Sequence, residues 1–158
     1  MIIGISGHQD RAGIDWKWVR DEIDRELAAL PGRHIGYSSL AIGSDQIFAG
    51  AILDRGDELV AVVPMRSYEA CFEGGALRRY RKLKSQASVV QLDGGTSEER
   101  AFYDAGVFIV DHVERMIAIW DGNPSQGLGG TADIVAYAVA KSIPVACINP
   151  TTMTVGNL

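Results

Sequence analysis

Four short stretches of the chain are apolar at nearly every position. They are Met1–Ser6, Leu59–Pro64, Met116–Trp120 and Pro144–Ile148. Runs of this length that are rich in isoleucine and valine are typical of strands buried on both faces of a parallel sheet. Two more mixed stretches, His34–Leu40 and Ser88–Leu92, are predicted as strands that lie nearer the sheet edges.

The segments between these stretches carry helical patterns. From Asp15 to Leu30 the apolar residues recur every three or four positions, and Gly32 follows as a stop signal. A second helix, capped by Ser44 or Asp45, is predicted to end near Gly56. Further helices are predicted over Ala76–Ser85, Ser97–Val110 and Thr131–Lys141. The last one is apolar almost all round, so we expect it to be deeply packed.

Strand and helix alternate along the whole chain. This order predicts an α/β protein with a single Rossmann-like, doubly wound, mostly parallel sheet and helices on both faces. Residues 1–150 are assigned to this domain, and residues 151–158 are predicted to form a loose C-terminal tail.

Composition and charge narrow the classes of partner. Of 158 residues, 47% are hydrophobic and 22% charged, which is typical of a globular domain. The net charge of −5 argues against nucleic acid as a partner. No apolar stretch is long enough to span a membrane, so no membrane partner is predicted. Cys71 and Cys147 are interpreted as buried free thiols, and no signal peptide is visible, so a cytoplasmic location is predicted. The histidines show no metal-ligand spacing, so no metal and no cofactor are predicted.

Candidate ligand-binding residues follow the predicted strands, because ligands of such sheets bind outside the carboxyl ends of the strands. They are Ser6, Gly7, His8, Gly43, Ser44, Asp45, Arg66, Asp121, Gly122, Gly127, Gly129, Gly130 and Thr131.

The Gly129-Gly130-Thr131 turn is the most informative of these segments. Glycine admits a close ligand, and the first amides of the helix that Thr131 opens have no partner within that helix. Those amides and the helix dipole favour a bound phosphate. A plain turn and helix cap is the alternative. Asp133 either accepts hydrogen bonds from ribose hydroxyls or simply offsets the dipole.

The other polar residues leave two interpretations open. His8 either binds a phosphate or base or is structural. Arg66 and Glu69 either supply a phosphate partner and a catalytic carboxylate or belong to a solvated loop. The basic run Arg78–Lys84 either tracks nucleic acid or is a solvated helix face, and the acidic composition favours the second.

Three stretches together resemble the SLOG superfamily of Rossmann-like nucleotide-binding domains. Ile3–His8 is similar to a Gly-His turn that occurs in several branches of the superfamily. Ser39–Asp45, with the segment that follows it as far as Pro64, resembles the DNA-processing protein A branch. Trp120–Gly122 together with Gly129–Asp133 resembles the phosphate loop of the superfamily. The superfamily also includes cytokinin-releasing phosphoribohydrolases, known as the LOG proteins, and molybdenum-cofactor carrier-like proteins.

The resemblance implies that Gly129, Gly130 and Thr131 hold a nucleotide phosphate. Phosphoribohydrolases carry an arginine-lysine motif on the preceding helix, and Phe102–Val107 lacks it. The leading hypothesis is therefore binding of a nucleotide or nucleotide-derived small molecule. The alternative is a nucleoside 5′-monophosphate N-glycosidase with Asp133 and Glu69 as catalytic residues, and single-stranded DNA binding ranks lower. Related domains self-associate, so a homo-oligomer is also expected.

Overall fold

The computed structural model describes residues 1–158, in which seven strands alternate with five α-helices. The strands are β1 (Ile2–Gly7), β2 (Ile35–Ser38), β3 (Glu58–Val63), β4 (Ser88–Gln91), β5 (Arg115–Ile119), β6 (Val145–Asn149) and β7 (Thr154–Asn157). The helices are α1 (Trp16–Ala29), α2 (Ser44–Asp54), α3 (Gly74–Ser85), α4 (Glu98–His112) and α5 (Thr131–Ala140), and a short 3₁₀ helix spans Tyr68–Cys71.

All strands belong to one sheet with the order β4-β3-β2-β1-β5-β6-β7. Strands β1 to β6 run parallel, and β7 runs antiparallel to β6. Strands β1 to β4 follow one another toward one edge, whereas β5, β6 and β7 continue from β1 toward the other. The strand order therefore reverses between β1 and β5. The predicted Rossmann-like, mostly parallel sheet is confirmed.

Helices cover both faces of the sheet. On one face α1, α2 and α3 bury Ile23, Phe48 and Tyr80, and on the other face α4 and α5 bury Ile109 and Ile134. Alternate residues of β5 enter the two cores, because side chains along a strand point to opposite faces. This arrangement explains why β5 is apolar at nearly every position.

Strand β2 lies between β1 and β3, so its predicted place near an edge is wrong, whereas β4 does lie at an edge. The mixed composition of β2 reflects the close approach of α2. A Cβ atom on Gly36 would lie 2.6 Å from Cγ1 of Ile52. Ser38 is also buried, and its hydroxyl donates to the Asp45 carbonyl. Small residues on β2 thus allow α2 to pack directly on the strand.

Helix α5 is not deeply packed, which corrects the expectation from its composition. It buries Ile134, Val135 and Ala138, but Val139 is 49% exposed. The sheet and α4 cover only one side of α5, and its other apolar side faces outward. No helix of the chain combines the length and the apolar character needed to cross a bilayer.

Residues 154–157 form strand β7 rather than part of a loose tail. Their side chains are exposed, and the strand is held by backbone pairing with β6. Beyond the strand, Val145 and Leu158 exchange backbone hydrogen bonds of 3.2 and 2.9 Å. The side chain of Asn157 also accepts a hydrogen bond from Arg115. Because this pairing uses main-chain groups, it leaves no hydrophobic pattern in the sequence.

Candidate functional site

The carboxyl ends of β1 and β5 lie side by side where the strand order reverses. Gly7 pairs with Ile119 at the ends of the two strands, so His8, the next residue, and Asp121, two residues beyond Ile119, lie close together. In open α/β sheets the loops diverge at such a point and leave a crevice for ligands. The strand order thus favours a ligand site at this end of the sheet.

A cleft of about 630 Å³ opens here. Its walls come from the loops after β1, β2 and β3, the 3₁₀ helix, and the N-terminal portions of α2, α4 and α5. Aromatic and aliphatic side chains form one part of the wall: Tyr68, Phe72, Phe102, Ile109 and Ile134. Polar groups and glycines form another part: Ser6, Gly7, His8, Gln9, Asp45, Gly129, Gly130 and Thr131. Neither lysine nor arginine lines the cleft.

Helix α5 begins at the cleft without a side-chain cap. The amide of Asp133 donates to the Gly130 carbonyl at 3.1 Å and to the Ser125 hydroxyl at 3.3 Å. No protein group accepts a hydrogen bond from the amides of Gly130, Thr131 or Ala132. These donors and the positive end of the helix dipole give the wall the properties of an anion site.

The loop before α5 is held tightly against α4. Gly129 has a φ of +89°, and a Cβ atom there would lie 3.0 Å from the Glu99 carbonyl oxygen and 3.0 Å from the Tyr103 nitrogen. Only glycine fits such a position without strain. The Gly129 amide donates to Oδ2 of Asp133 at 3.2 Å. Asp133 therefore holds the loop in place.

His8 lines the cleft beside Asp121. Its Nε2 accepts a hydrogen bond from the Asp121 amide at 3.0 Å, so the ring proton resides on Nδ1. Burial, followed by the nearby charge of Arg11, lowers the pKa of His8. Arg11 also donates to Oδ2 of Asp121 at 2.8 Å and holds the pKa of that carboxyl well below its usual range.

The loop between β2 and α2 forms the opposite wall and carries a strained residue. Leu40 is completely buried and has a φ of +58°, which costs a leucine roughly 1–2 kcal/mol. Its amide donates to the Ser38 hydroxyl, and its carbonyl accepts from the Gln46 side chain. These contacts fix the start of α2. There Asp45 lines the cleft while only 7% exposed, and burial raises its pKa to about 7.

No family model matches the chain, and no curated protein matches it significantly. Solved structures do match its fold. One is TM1055, a LOG-like SLOG protein, with a TM-score of 0.59 and 16% identity over 91% of this chain and 71% of that one. The DNA processing protein A (DprA) of Streptococcus pneumoniae has a TM-score of 0.67 and 18% identity, covering 93% of this chain and 50% of that one.

The DprA of Helicobacter pylori, whose structure concerns a single-stranded DNA binding mode, has a TM-score of 0.62 and 13% identity, covering 94% of this chain and 65% of that one. The fold is SLOG-like. The chain spans only half of the S. pneumoniae protein and slightly less than two thirds of the H. pylori protein. At these identities the likeness concerns the SLOG-like fold alone.

The SLOG-like fold brings about half of the predicted ligand-binding residues to the cleft. Those that line it are Ser6, Gly7, His8, Asp45, Gly129, Gly130 and Thr131. The hydroxyl of Ser44 lies behind the wall and donates to the His8 carbonyl at 2.6 Å. Gly43 lines a smaller neighbouring cleft. The remaining ones, Arg66, Asp121, Gly122 and Gly127, are not part of the cleft wall.

The two predicted catalytic carboxylates also lie outside the cleft wall. Glu69 is exposed, and Arg81 donates hydrogen bonds of 3.0 and 3.1 Å to it, which lowers the pKa of Glu69. Asp133 faces the loop that it holds. The catalytic roles of both residues stay predictions. No group of three or more His, Cys, Asp or Glu side chains is arranged to hold a metal ion.

Several residues of the cleft were not predicted from the sequence. Tyr68, Phe72, Phe102 and Glu98 line it, and Cys71, expected to be buried, lies exposed in its wall. The close spacing of Tyr68 and Phe72 in the sequence was the available signal for the aromatic part of the wall. The position of these aromatic side chains over the cleft depends on how α3 and α4 lie across the sheet. The sequence pattern does not give this arrangement.

Proposed function

We propose that the cleft binds a nucleotide or a nucleotide-derived small molecule, with a phosphate group at the start of α5. The observation that carries this proposal is the set of unpaired amides on Gly130, Thr131 and Ala132. Backbone amides at a helix N-terminus bind phosphate oxygens through both hydrogen bonds and the helix dipole.

The size and lining of the cleft support this class of ligand. Small-molecule sites usually have volumes of a few hundred to about a thousand Å³, and this cleft has about 630 Å³. The aromatic rings of Tyr68, Phe72 and Phe102 provide a surface for a base, and the glycine loops provide room for a phosphate. A nucleotide combines these two kinds of group.

The charge of the cleft narrows the class further. Glu98 lies in the wall, Asp45 is partly ionised at neutral pH, and no cationic side chain lines the cleft. A phosphomonoester carries close to two negative charges at pH 7, whereas each phosphate of a diester or pyrophosphate bridge carries one. Backbone amides that act without a cationic side chain suit a phosphate that carries one charge. They therefore favour ligands such as ADP-ribose, NAD or a cyclic nucleotide over AMP.

Isothermal titration with these four ligands tests the proposal. Gly129→Ala is expected to weaken binding at least tenfold, because the new Cβ displaces the loop that presents the amides. Gly122→Ala is the matched control: its φ of +84° imposes similar strain, but nothing lies within 4 Å and the residue is outside the cleft. Absence of binding at millimolar ligand, or equal effects of both variants, would contradict the proposal.

N-glycosidic cleavage is tested in the same samples. Chromatography after incubation with AMP reports free adenine if the protein is a nucleoside 5′-monophosphate N-glycosidase. Because Glu69 and Asp133 are engaged elsewhere, we expect unchanged AMP. Release of adenine that is lost in Glu69→Gln or Asp133→Asn would instead assign the reaction to those carboxylates.

Single-stranded DNA binding is a second candidate, and one surface favours it. A smaller cleft of about 420 Å³ is lined by Trp16 and Arg79 and shares Ile42 with the main cleft. An aromatic ring beside a cation is a typical surface for unpaired bases. The DprA of H. pylori, which has a similar fold, binds single-stranded DNA.

Fluorescence anisotropy with labelled oligothymidine at about 150 mM salt tests this candidate. Arg79→Ala and Trp16→Ala should each weaken binding several-fold. Arg25→Ala removes an exposed arginine of α1 that pairs with Glu22 and is the control. Anisotropy that stays flat at micromolar protein would eliminate the candidate.

A further inference from the structure

We infer that Asp45 is the specificity-determining carboxyl group of the cleft and binds hydrogen-bond donors of the ligand, either sugar hydroxyls or base N–H groups. This inference rests on the proposed function, because it concerns the same cleft. It assigns to Asp45 the sugar-binding role that the sequence pattern offered as one of two alternatives for Asp133.

Asp45 is held at the cleft wall with little choice of position. It lies in the first turn of α2, which starts directly after Gly43. Its backbone carbonyl accepts a hydrogen bond from the buried Ser38 hydroxyl at 3.1 Å. The strained Leu40 loop precedes it and is fixed by its own hydrogen bonds. The backbone that carries the carboxyl group is thus fixed at the cleft wall.

The carboxyl group of Asp45 has few partners within the protein. Its Oδ2 accepts a long hydrogen bond of 3.4 Å from the Ala41 amide, the Ser39 amide also stabilises its charged form, and no side chain donates to it. Tyr68 lies near enough for the Asp45 charge to raise the pKa of its hydroxyl, and that hydroxyl has no hydrogen-bond partner in the protein. Two polar groups that line the same cleft therefore retain unused hydrogen-bonding capacity.

Burial makes the ionised carboxyl group unfavourable, and this is why its pKa rises to about 7 even though the backbone amides of Ala41 and Ser39 lower it in part. A ligand hydroxyl or N–H group that donates to Asp45 would stabilise the charged form, whereas a phosphate would repel it. The ligand therefore binds with its phosphate at the start of α5 and its neutral, donor-bearing part at Asp45. The two ends of the cleft select different parts of one molecule.

Three other titratable groups of the cleft have pKa values that are shifted away from 7. Among the groups of the cleft, His8 has a lowered pKa, and Tyr68 and Cys71 have raised pKa values. Glu98 of α4 is exposed in the wall.

Two arginines on the neighbouring helices form ion pairs away from the cleft, and Arg79 of α3 lines only the smaller cleft. Arg20 of α1 pairs with Asp24 and Asp54, and Arg81 of α3 pairs with Glu69. Titration of the cleft near pH 7 is therefore assigned to Asp45, and affinity for a donor-bearing ligand rises as the pH increases through 7.

Titration calorimetry with ADP-ribose tests this, because its pyrophosphate and adenine keep their charge between about pH 5.5 and 8.5. We expect the affinity of the natural protein to rise about tenfold over this range and that of Asp45→Asn to stay flat. Asp104→Asn, which removes a surface carboxyl that pairs with Arg100, is the control and should retain the pH dependence.

Pairs of ligands identify the donor. If the natural protein binds 2′-deoxy-AMP more weakly than AMP and Asp45→Asn does not, the sugar hydroxyl is the donor to Asp45. If the natural protein prefers one of GMP and AMP and this preference disappears in Asp45→Asn, the base is the donor to Asp45. If the natural protein binds with a flat pH profile and treats each pair alike, the inference is wrong and the proposed function stands. If no probe binds, both are wrong. These measurements on the natural protein decide the matter even if Asp45→Asn fails to fold.

Discussion

Asp45 shows how one buried carboxyl group couples the cleft to the stability of the fold. Its pKa is about 7 in the folded protein, against an ordinary value of 3.8. A group whose pKa is raised on folding binds more protons in the folded state than in the unfolded state. Its contribution to stability is therefore lost as the pH rises between the two values.

We predict that Asp45→Asn becomes more stable relative to the natural protein as the pH increases from about 4 to 7. The difference in unfolding free energy should grow by an amount on the order of 4 kcal/mol and then level off. Urea unfolding at a series of pH values measures it. Parallel stability curves for the two proteins would show that Asp45 is ionised normally in the folded state.

At the scale of single residues, the sequence pattern singled out the glycine turn at the start of α5 but not the burial of Asp45 on the opposite wall. The glycine pair before Thr131 stands out because it follows an apolar strand and opens a helix. Asp45 was predicted as a ligand-binding residue, but its burial follows from the packing of α2 on the small residues of β2. The role of Asp133 depends on its return contact with Gly129, which spacing alone does not reveal.

Glycines in the middle of helices have opposite consequences in two elements. A Cβ atom on Gly50 of α2 would lie 3.7 Å from the guanidinium of Arg20, an ordinary contact. A Cβ atom on Gly106 of α4 would lie 2.4 and 2.8 Å from two side-chain carbons of the buried Ile134. The glycine at 106 thus permits the close packing of α4 and α5, whereas the glycine at 50 has no such role.

Gly50→Ala is therefore expected to stabilise the protein by about 0.5–1 kcal/mol, because alanine is the better helix former. Gly106→Ala should destabilise it by roughly 1–3 kcal/mol, since the core between α4 and α5 is overpacked. Thermal unfolding of both variants provides the comparison. A shift of the same sign in each would contradict this account of α4–α5 packing.

The existence and order of the elements were largely predictable, and the exceptions have physical causes. Continuous apolar runs identified β1, β3, β5 and β6, since both faces of these strands are covered. Strand β7 was missed because backbone pairing holds it and all its side chains are exposed. The depth of α5 was overestimated because composition does not reveal which side of a helix receives a neighbour.

At the scale of the whole molecule, β7 extends the sheet beyond β6. Removal of residues 151–158 is expected to lower stability by about 1–3 kcal/mol, because the backbone groups of β6 lose their partners. Hydrogen exchange should show lost protection at the Val145 amide and retained protection in β1. Asn157→Ala, which removes only the side-chain contact with Arg115, should leave the Val145 amide protected.

The predicted homo-oligomer also belongs to this scale. The outward side of α5 presents Val139, which is 49% exposed. We predict that light scattering gives at least twice the mass of one chain and that Val139→Lys yields the monomer. Val89→Lys alters a similarly exposed valine on β4 and should leave the assembly intact. A single-chain mass for the natural protein would refute the prediction.

The left-handed backbone of the buried Leu40 also bears on how fast a ligand enters. A leucine keeps this conformation only where its surroundings leave no alternative, so the wall that carries Asp45 already has its final shape before any encounter. Capture on that side then requires no slow isomerisation. In stopped-flow mixing, the observed rate should increase linearly with ligand concentration and reach no plateau.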